Sequence, residues 1–217
     1  MLLVAACTVT NTRTAASVVA PAPGASVLLV EPDIQLNLLT AVGLQEPRAD
    51  WSDQARQSLS VALQEALRGR QHSFRPIDPA EAMGGREGQL LRLHQAVGVT
   101  ILTTNFGELL PTRRGGFDYT LGEGAEVLAE TYDAQYALFL HGSGSYASSA
   151  RVATAVGLAV LGVGVPLGSQ QVFVSLVDLR SGRVVWFNSA VPGPHADMRD
   201  PAGARTLVTE LLADAPL

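Results

Sequence analysis

Lysine is absent from this 217-residue chain, and all fifteen basic residues are arginine. They are scattered, with only Arg113 and Arg114 adjacent, and twenty acidic residues bring the formal charge to −5. A nucleic-acid binder carries a basic stripe, so nucleic acid is excluded as a partner class. Cysteine occurs once, at Cys7, so no internal disulfide can form. Four histidines (His72, His94, His141 and His195) stand far apart in sequence. Without a cysteine pair they spell no metal-ligand spacing, and neither metal nor cofactor is expected. There is no G-x-S-x-G elbow. Gly162-Val163-Gly164 lacks the strand-to-helix setting and the following acidic residue of a dinucleotide loop. What the chain does have is apolar mass: 47% hydrophobic residues and a mean hydropathy of +0.21, enough for one full core.

Taken in order, Thr8–Ala25 has no periodicity and ends in Pro21, Pro23 and Gly24, which reads as a flexible tether. Val27–Val30 is a continuous apolar run suited to a strand buried on both faces. After Glu31-Pro32-Asp33, the segment Ile34–Leu38 alternates with period two. Ala55, Leu59, Ala62, Leu63, Ala66 and Leu67 recur at helical spacing, predicting a helix over about 52–68 with Asp50 or Ser52 as cap. His72–Ile77 reads as a strand that Pro76 places at an edge or an end. A second helix runs from Gly88 to Val97 and Gly98 ends it, with Val99–Thr103 either a short strand or more helix. His94, beside that helix's apolar face, reads as a structural histidine. Asn105–Tyr119 is a loop; Arg113 and Arg114, beside two glycines, are candidates for an anion contact, a solvated surface pair being the plainer reading. Thr120 and Glu123 match a capping box. Asp200 and Pro201 open a last helix whose core face is Ala204, Leu207, Val208, Leu211 and Leu212.

The stretch from Tyr136 to Ala190 organises the rest. It predicts a strand at Tyr136–Leu140, a Ser/Gly-rich exit (HGSGSYASS), an apolar Gly-rich run at Val152–Gly168, and a β-hairpin turning at Ser181-Gly182. The fold expected is a single-domain α/β layered sandwich: a mixed β-sheet with a C-terminal β-hairpin, covered by amphipathic helices. The Gly-rich run allows three readings. It is a helix or loop buried over the sheet, a segment meeting a membrane or another subunit, or a span near the lower length limit for a bilayer. It is longer than a connection needs. Val156, Gly157, Leu158, Leu161, Gly162 and Val163 are its candidate contact residues. Ser143, Ser145 and His141 support a competing reading as a periplasmic hydrolase or small-ligand-binding protein built on a Ser/Gly loop after residue 140.

Val4-Ala5-Ala6-Cys7 resembles the bacterial lipobox, in which the cysteine thiol is acylated. The resemblance implies that residues 1–7 are the remnant of a lipoprotein signal peptide and that translation starts upstream, since only six uncharged residues precede Cys7. Residues 8–25 would be the tether and 26–217 the domain. Thr8 after the cysteine implies outer-membrane sorting, with the chain lipid-anchored at the periplasmic face. In the hairpin VFVSLVDLRSGRVVWFNSA, the residues Asp178, Ser181, Gly182 and Trp186 resemble a turn and return strand of periplasmic lipoproteins built on a TolB-amino-terminal-like α/β domain. That group includes the curli secretion channel lipoprotein and the activators of penicillin-binding proteins. The resemblance implies a non-enzymatic cell-envelope lipoprotein that binds or assembles a protein partner, self-association included. It carries over no functional residue except Cys7.

Overall fold

The computed structural model describes residues 8–15, 21–22, 24–70, 72–82, 84–105 and 116–217. Cys7, Arg113 and Arg114 lie outside them, so the acylation and anion-contact expectations fall on undescribed residues. The architecture is the expected mixed α/β sandwich. An eight-stranded sheet comprises β1 (Val9–Thr14), β2 (Ser26–Val30), β3 (Asp33–Leu39), β4 (Gln45–Pro47), β5 (Ser73–Ile77), β6 (Tyr136–Ala147), β7 (Gln170–Asp178) and β8 (Val184–Val191). Its order is β1-β8-β7-β6-β2-β5, with β3 also on β6 and β4 on β3. β2 pairs parallel with β5 and β6, and β3 pairs parallel with β6. The remaining pairs are antiparallel.

Two helices cover each face. On one, α1 (Ala49–Gly69) and α5 (Pro201–Leu211) bury Leu59, Leu63, Leu207 and Leu211 against Leu29, Leu138, Leu140 and Val174. On the other, α2 (Arg86–Asn105) and α3 (Glu126–Tyr132) bury Leu90, Ile101 and Leu128 against Leu28, Phe139, Phe173 and Phe187. Successive residues of β6 therefore serve opposite cores, which is why its first half is uninterruptedly apolar. Asp200 caps α5 as expected, accepting from the N–H groups of Ala202 and Gly203. At α1 the cap differs: the helix starts earlier, and Ser52 instead joins it to the sheet. Ser52 Oγ accepts from Leu36 N at 3.0 Å and donates to Arg48 O at 2.9 Å. Thr120 likewise serves the hairpin instead of a capping box, its hydroxyl donating to Gly182 O and accepting from Gly122 N.

Four further expectations are corrected. The tether segment contains β1, paired antiparallel along β8 from Val9–Val191 to Thr14–Trp186; its Thr/Asn/Arg composition hides a strand because neither face is buried. Gly98 does not end a helix. It lies within α2, where a Cβ would overlap the ring of Phe173, so the missing side chain lets α2 sit close to the sheet. The Ser/Gly exit is no loop: β6 runs on to Ala147. Gly142 and Gly144 are bare there because Ile34 and the backbone at Ser169 and Gln170 occupy the space a Cβ would need. Finally, the Gly-rich run is not buried. It is α4 (Ser149–Ala159), which contains no buried residue, followed by an exposed return to β7. Among the described residues no helix is long and apolar enough to cross a membrane, which sets aside the single span.

Candidate functional site

Two places on the molecule are candidate sites. The first is a polar cleft where β2 passes into β3. Leu29 faces Leu138 and Asp33 faces His141 on β6. Three residues, Val30 to Pro32, thus stand opposite two, Phe139 and Leu140, which is a bulge in a parallel pair. Glu31 N donates to Ile77 O at 2.9 Å and holds the bulge to the end of β5. The strand ends part here, as they do at ligand crevices of parallel sheets. The opening is a cleft of about 490 Å³, with Glu31, Asp33, Arg56, Asp78, Arg92 and His141 at its walls and His94 and Phe139 among its lining.

His141 Nδ1 donates to Asp33 Oδ2 at 3.1 Å, since a carboxylate can only accept. That bond holds the Asp33 carboxyl below its ordinary value against the opposing effect of burial. Burial, and then the nearby Asp78 charge, push Glu31 upward. Below them His94 is 4% exposed, stacked on Phe139 at 3.8 Å between centroids, and bonded through Nε2 to the Ser175 hydroxyl at 2.5 Å. Burial, with a smaller effect of His141, lowers its pKa to about 3. It is the structural histidine the helix periodicity predicted. The two serines of the hydrolase reading are strand residues, Ser143 opposite Gln171 and Ser145 beyond it. His141 instead engages Asp33, and His94 engages Ser175. No sequence signal announced the Asp33–His141 pair, whose members are 108 positions apart and meet only through strand register.

The second place is the far end of β3 and β6. Ser148 N donates to Leu39 O, and the Ser148 hydroxyl accepts from Arg151 N and caps α4. Arg151 Nε donates to Pro166 O at 2.7 Å, and Nη1 donates to Thr40 O. One guanidinium thus ties the β3–β4 tip, α4 and the returning loop together. Gly162, at φ +76°, turns the chain out of the helix. Arg151, Ala155 and Leu158 point half-buried toward the body, while Val152, Val156 and Val160 point outward. Val156 is 66% exposed, Val160 84% and Leu161 75%.

The helix is therefore inverted, carrying its apolar side on the outside. Of the thirteen large hydrophobic side chains exposed among the described residues, ten lie toward this end. Six belong to α4 and its return loop, Val42 and Leu44 to the β3–β4 tip, and Val9 and Val191 to one cross-strand pair. The six residues singled out in the Gly-rich run lie together here, five exposed and Leu158 half-buried. Val42, Leu44 and Val9 were missed by sequence reasoning, because isolated apolar residues at a strand tip or in an otherwise polar strand carry no periodicity.

No family model matches the chain, and no curated protein matches it. Solved structures do. A PelC dodecamer from Paraburkholderia phytofirmans is similar at 15% identity and TM-score 0.42, over 95% of each chain. Lipoprotein GNA1162 from Neisseria meningitidis is similar at 14% identity and TM-score 0.35, over 77% of this chain and 81% of that one. The LpoB C-terminal domain from Salmonella enterica is similar at 17% identity and TM-score 0.31, over 82% and 86%. At these values the similarity concerns the outline of the fold, and no site residue is carried across.

Proposed function

We propose that this chain is a non-enzymatic cell-envelope lipoprotein, acylated on Cys7, held at the periplasmic face of the outer membrane, and binding or assembling a protein partner, self-association included. The observation that carries this reading is the one-ended distribution of exposed apolar side chains, at the end where the chain enters the sheet. β1 starts at Val9, paired with Val191, and Thr8 Oγ1 accepts from Gly193 N there. Cys7 precedes Thr8 in sequence, and Thr8 lies on the side that carries α4. Exposed apolar side chains gathered toward one end in this way mark a contact site. The cleft at Glu31–Asp33, bordered by charges of both signs, is left open for a partner.

The test is palmitate labelling in a Gram-negative host, from a gene that includes the upstream reading frame. The wild type takes label and fractionates with membranes, whereas Cys7→Ala is unlabelled. Equal labelling of the two overturns the lipoprotein reading. A photo-cross-linking residue at Asp78 yields a discrete protein adduct in the same cells, and its absence removes the partner from the proposal.

A further inference from the structure

We infer that the α4 end is a membrane-resting surface: Val152, Val156, Val160, Leu161 and the β3–β4 tip seat directly on a lipid bilayer. The inference deepens the envelope-lipoprotein reading and rests on it for the presence of a membrane nearby. Three observations select lipid as the occupant.

The described chain begins at Thr8, on the α4 side of the sheet, and β1 runs from there toward the hairpin turn. Val9 is level with Ser143 across β8 and β7. Ala147, the last residue of β6, lies four residues beyond, about 13 Å along the strand direction. Thr8, which precedes Val9, is thus within about 13 Å of that level along the strand direction. Next, residues 149–169 and 40–44 contain no carboxylate, and their one charged side chain, Arg151, is turned inward onto carbonyl oxygens. Within these segments no side chain is repelled by phosphate headgroups; the next carboxylate along the chain is Glu46, on β4. Last, the surface is assembled from protruding tips of separate segments held by Arg151, and α4 lies along it with its inner side half-buried. A helix of 11 residues lying in the interface at headgroup depth meets water on its flanks, so the irregular return loop keeps its hydrogen bonds there.

The test uses the full chain carrying Cys7→Ala, so that no acyl group contributes, with vesicles of phosphatidylethanolamine and phosphatidylglycerol. The protein is expected to float with the vesicles, and to do so equally in about 0.5 M NaCl, where surface charge attraction is screened. Val156→Asp/Leu161→Asp is expected to lower the partition coefficient at least about tenfold through lost apolar transfer, with an unchanged thermal melt because both side chains are exposed. An environment-sensitive dye on Val160→Cys in the same background shifts to the blue on vesicle addition, whereas a dye on Arg180→Cys, in the hairpin turn at the opposite end, does not. Failure of the Cys7→Ala chain to float overturns the inference, and palmitate labelling of the wild type then leaves the lipoprotein reading standing. Oligomers that Val156→Asp/Leu161→Asp dissolves, without vesicle binding, also overturn it and give the surface to a second copy of the chain.

Discussion

Acid should weaken this fold through His94 by an amount its surroundings set. The imidazole is enclosed by Phe139, Phe173 and Ser175, with His141 the nearby charge acting on it, and burial brings its pKa from 6.5 to about 3. An unfolded chain takes up this proton near pH 6.5, and the folded chain does so only near pH 3. The folded value lies below the unfolded one, so the stability it represents is complete above about pH 6.5 and is lost as pH falls toward 3. Within that window the loss is about 1.4 kcal/mol per pH unit. From pH 8 to pH 4.5 the residue should cost the fold roughly 2–3 kcal/mol, a large share of the stability of an ordinary domain.

The assay is urea unfolding followed by circular dichroism at pH 8, 6.5, 5.5 and 4.5, for the wild type and for His94→Leu/Ser175→Ala. The double variant removes both hydrogen-bonding partners, so no buried hydroxyl is orphaned. Carboxylates such as Asp33, whose titration also weakens the fold in acid, are present in both proteins and cancel in the comparison. The wild type should fall more steeply, by roughly 2–3 kcal/mol over the full range. Equal pH dependence in the two proteins would refute the reasoning.

Two further perturbations test the packing. Gly98→Ala normally favours an α-helix interior by about 1 kcal/mol, but here the new methyl meets the ring of Phe173, which is 1% exposed. Overpacking costs about 1–3 kcal/mol, so net destabilisation is expected in chemical unfolding, relieved when Phe173→Leu is added; a more stable Gly98→Ala would show that α2 is free to move off the sheet. Ser52→Ala strips the buried Leu36 N–H of its acceptor and should cost about 1–3 kcal/mol, with hydrogen exchange at the Leu36 amide accelerated. Unchanged exchange there would mean the α1–β3 link is not held by this hydroxyl.

Much of the scaffold was legible because local chemistry and burial agree. The Ala/Leu stripe of α1, the Asp200-Pro201 start of α5 and the hairpin turn at Ser181-Gly182 each satisfy their own backbone with nearby residues, so short windows suffice to read them. The rest was not, for identifiable reasons. β6 looked finished at Leu140 because Gly142 and Gly144 read as loop residues, whereas they are bare to admit Ile34 and the chain at Ser169 and Gln170. β1 has no buried face, and only the open edge of β8 makes it a strand.

The sequence by itself determined a single mixed α/β domain, the faces its main helices bury, and the structural character of His94, because hydrophobic periodicity and capping are local. Tertiary structure alone decided which apolar side chains stay exposed. Hydrophobicity measures preference for leaving water and does not say what takes water's place. Val152–Gly168 therefore allowed a buried, a contact and a spanning reading, and the topology leaves it outside, at the end where β1 enters the sheet. The Asp33–His141 cleft depends on a one-residue mismatch between parallel strands, a property of register that no stretch of either strand contains.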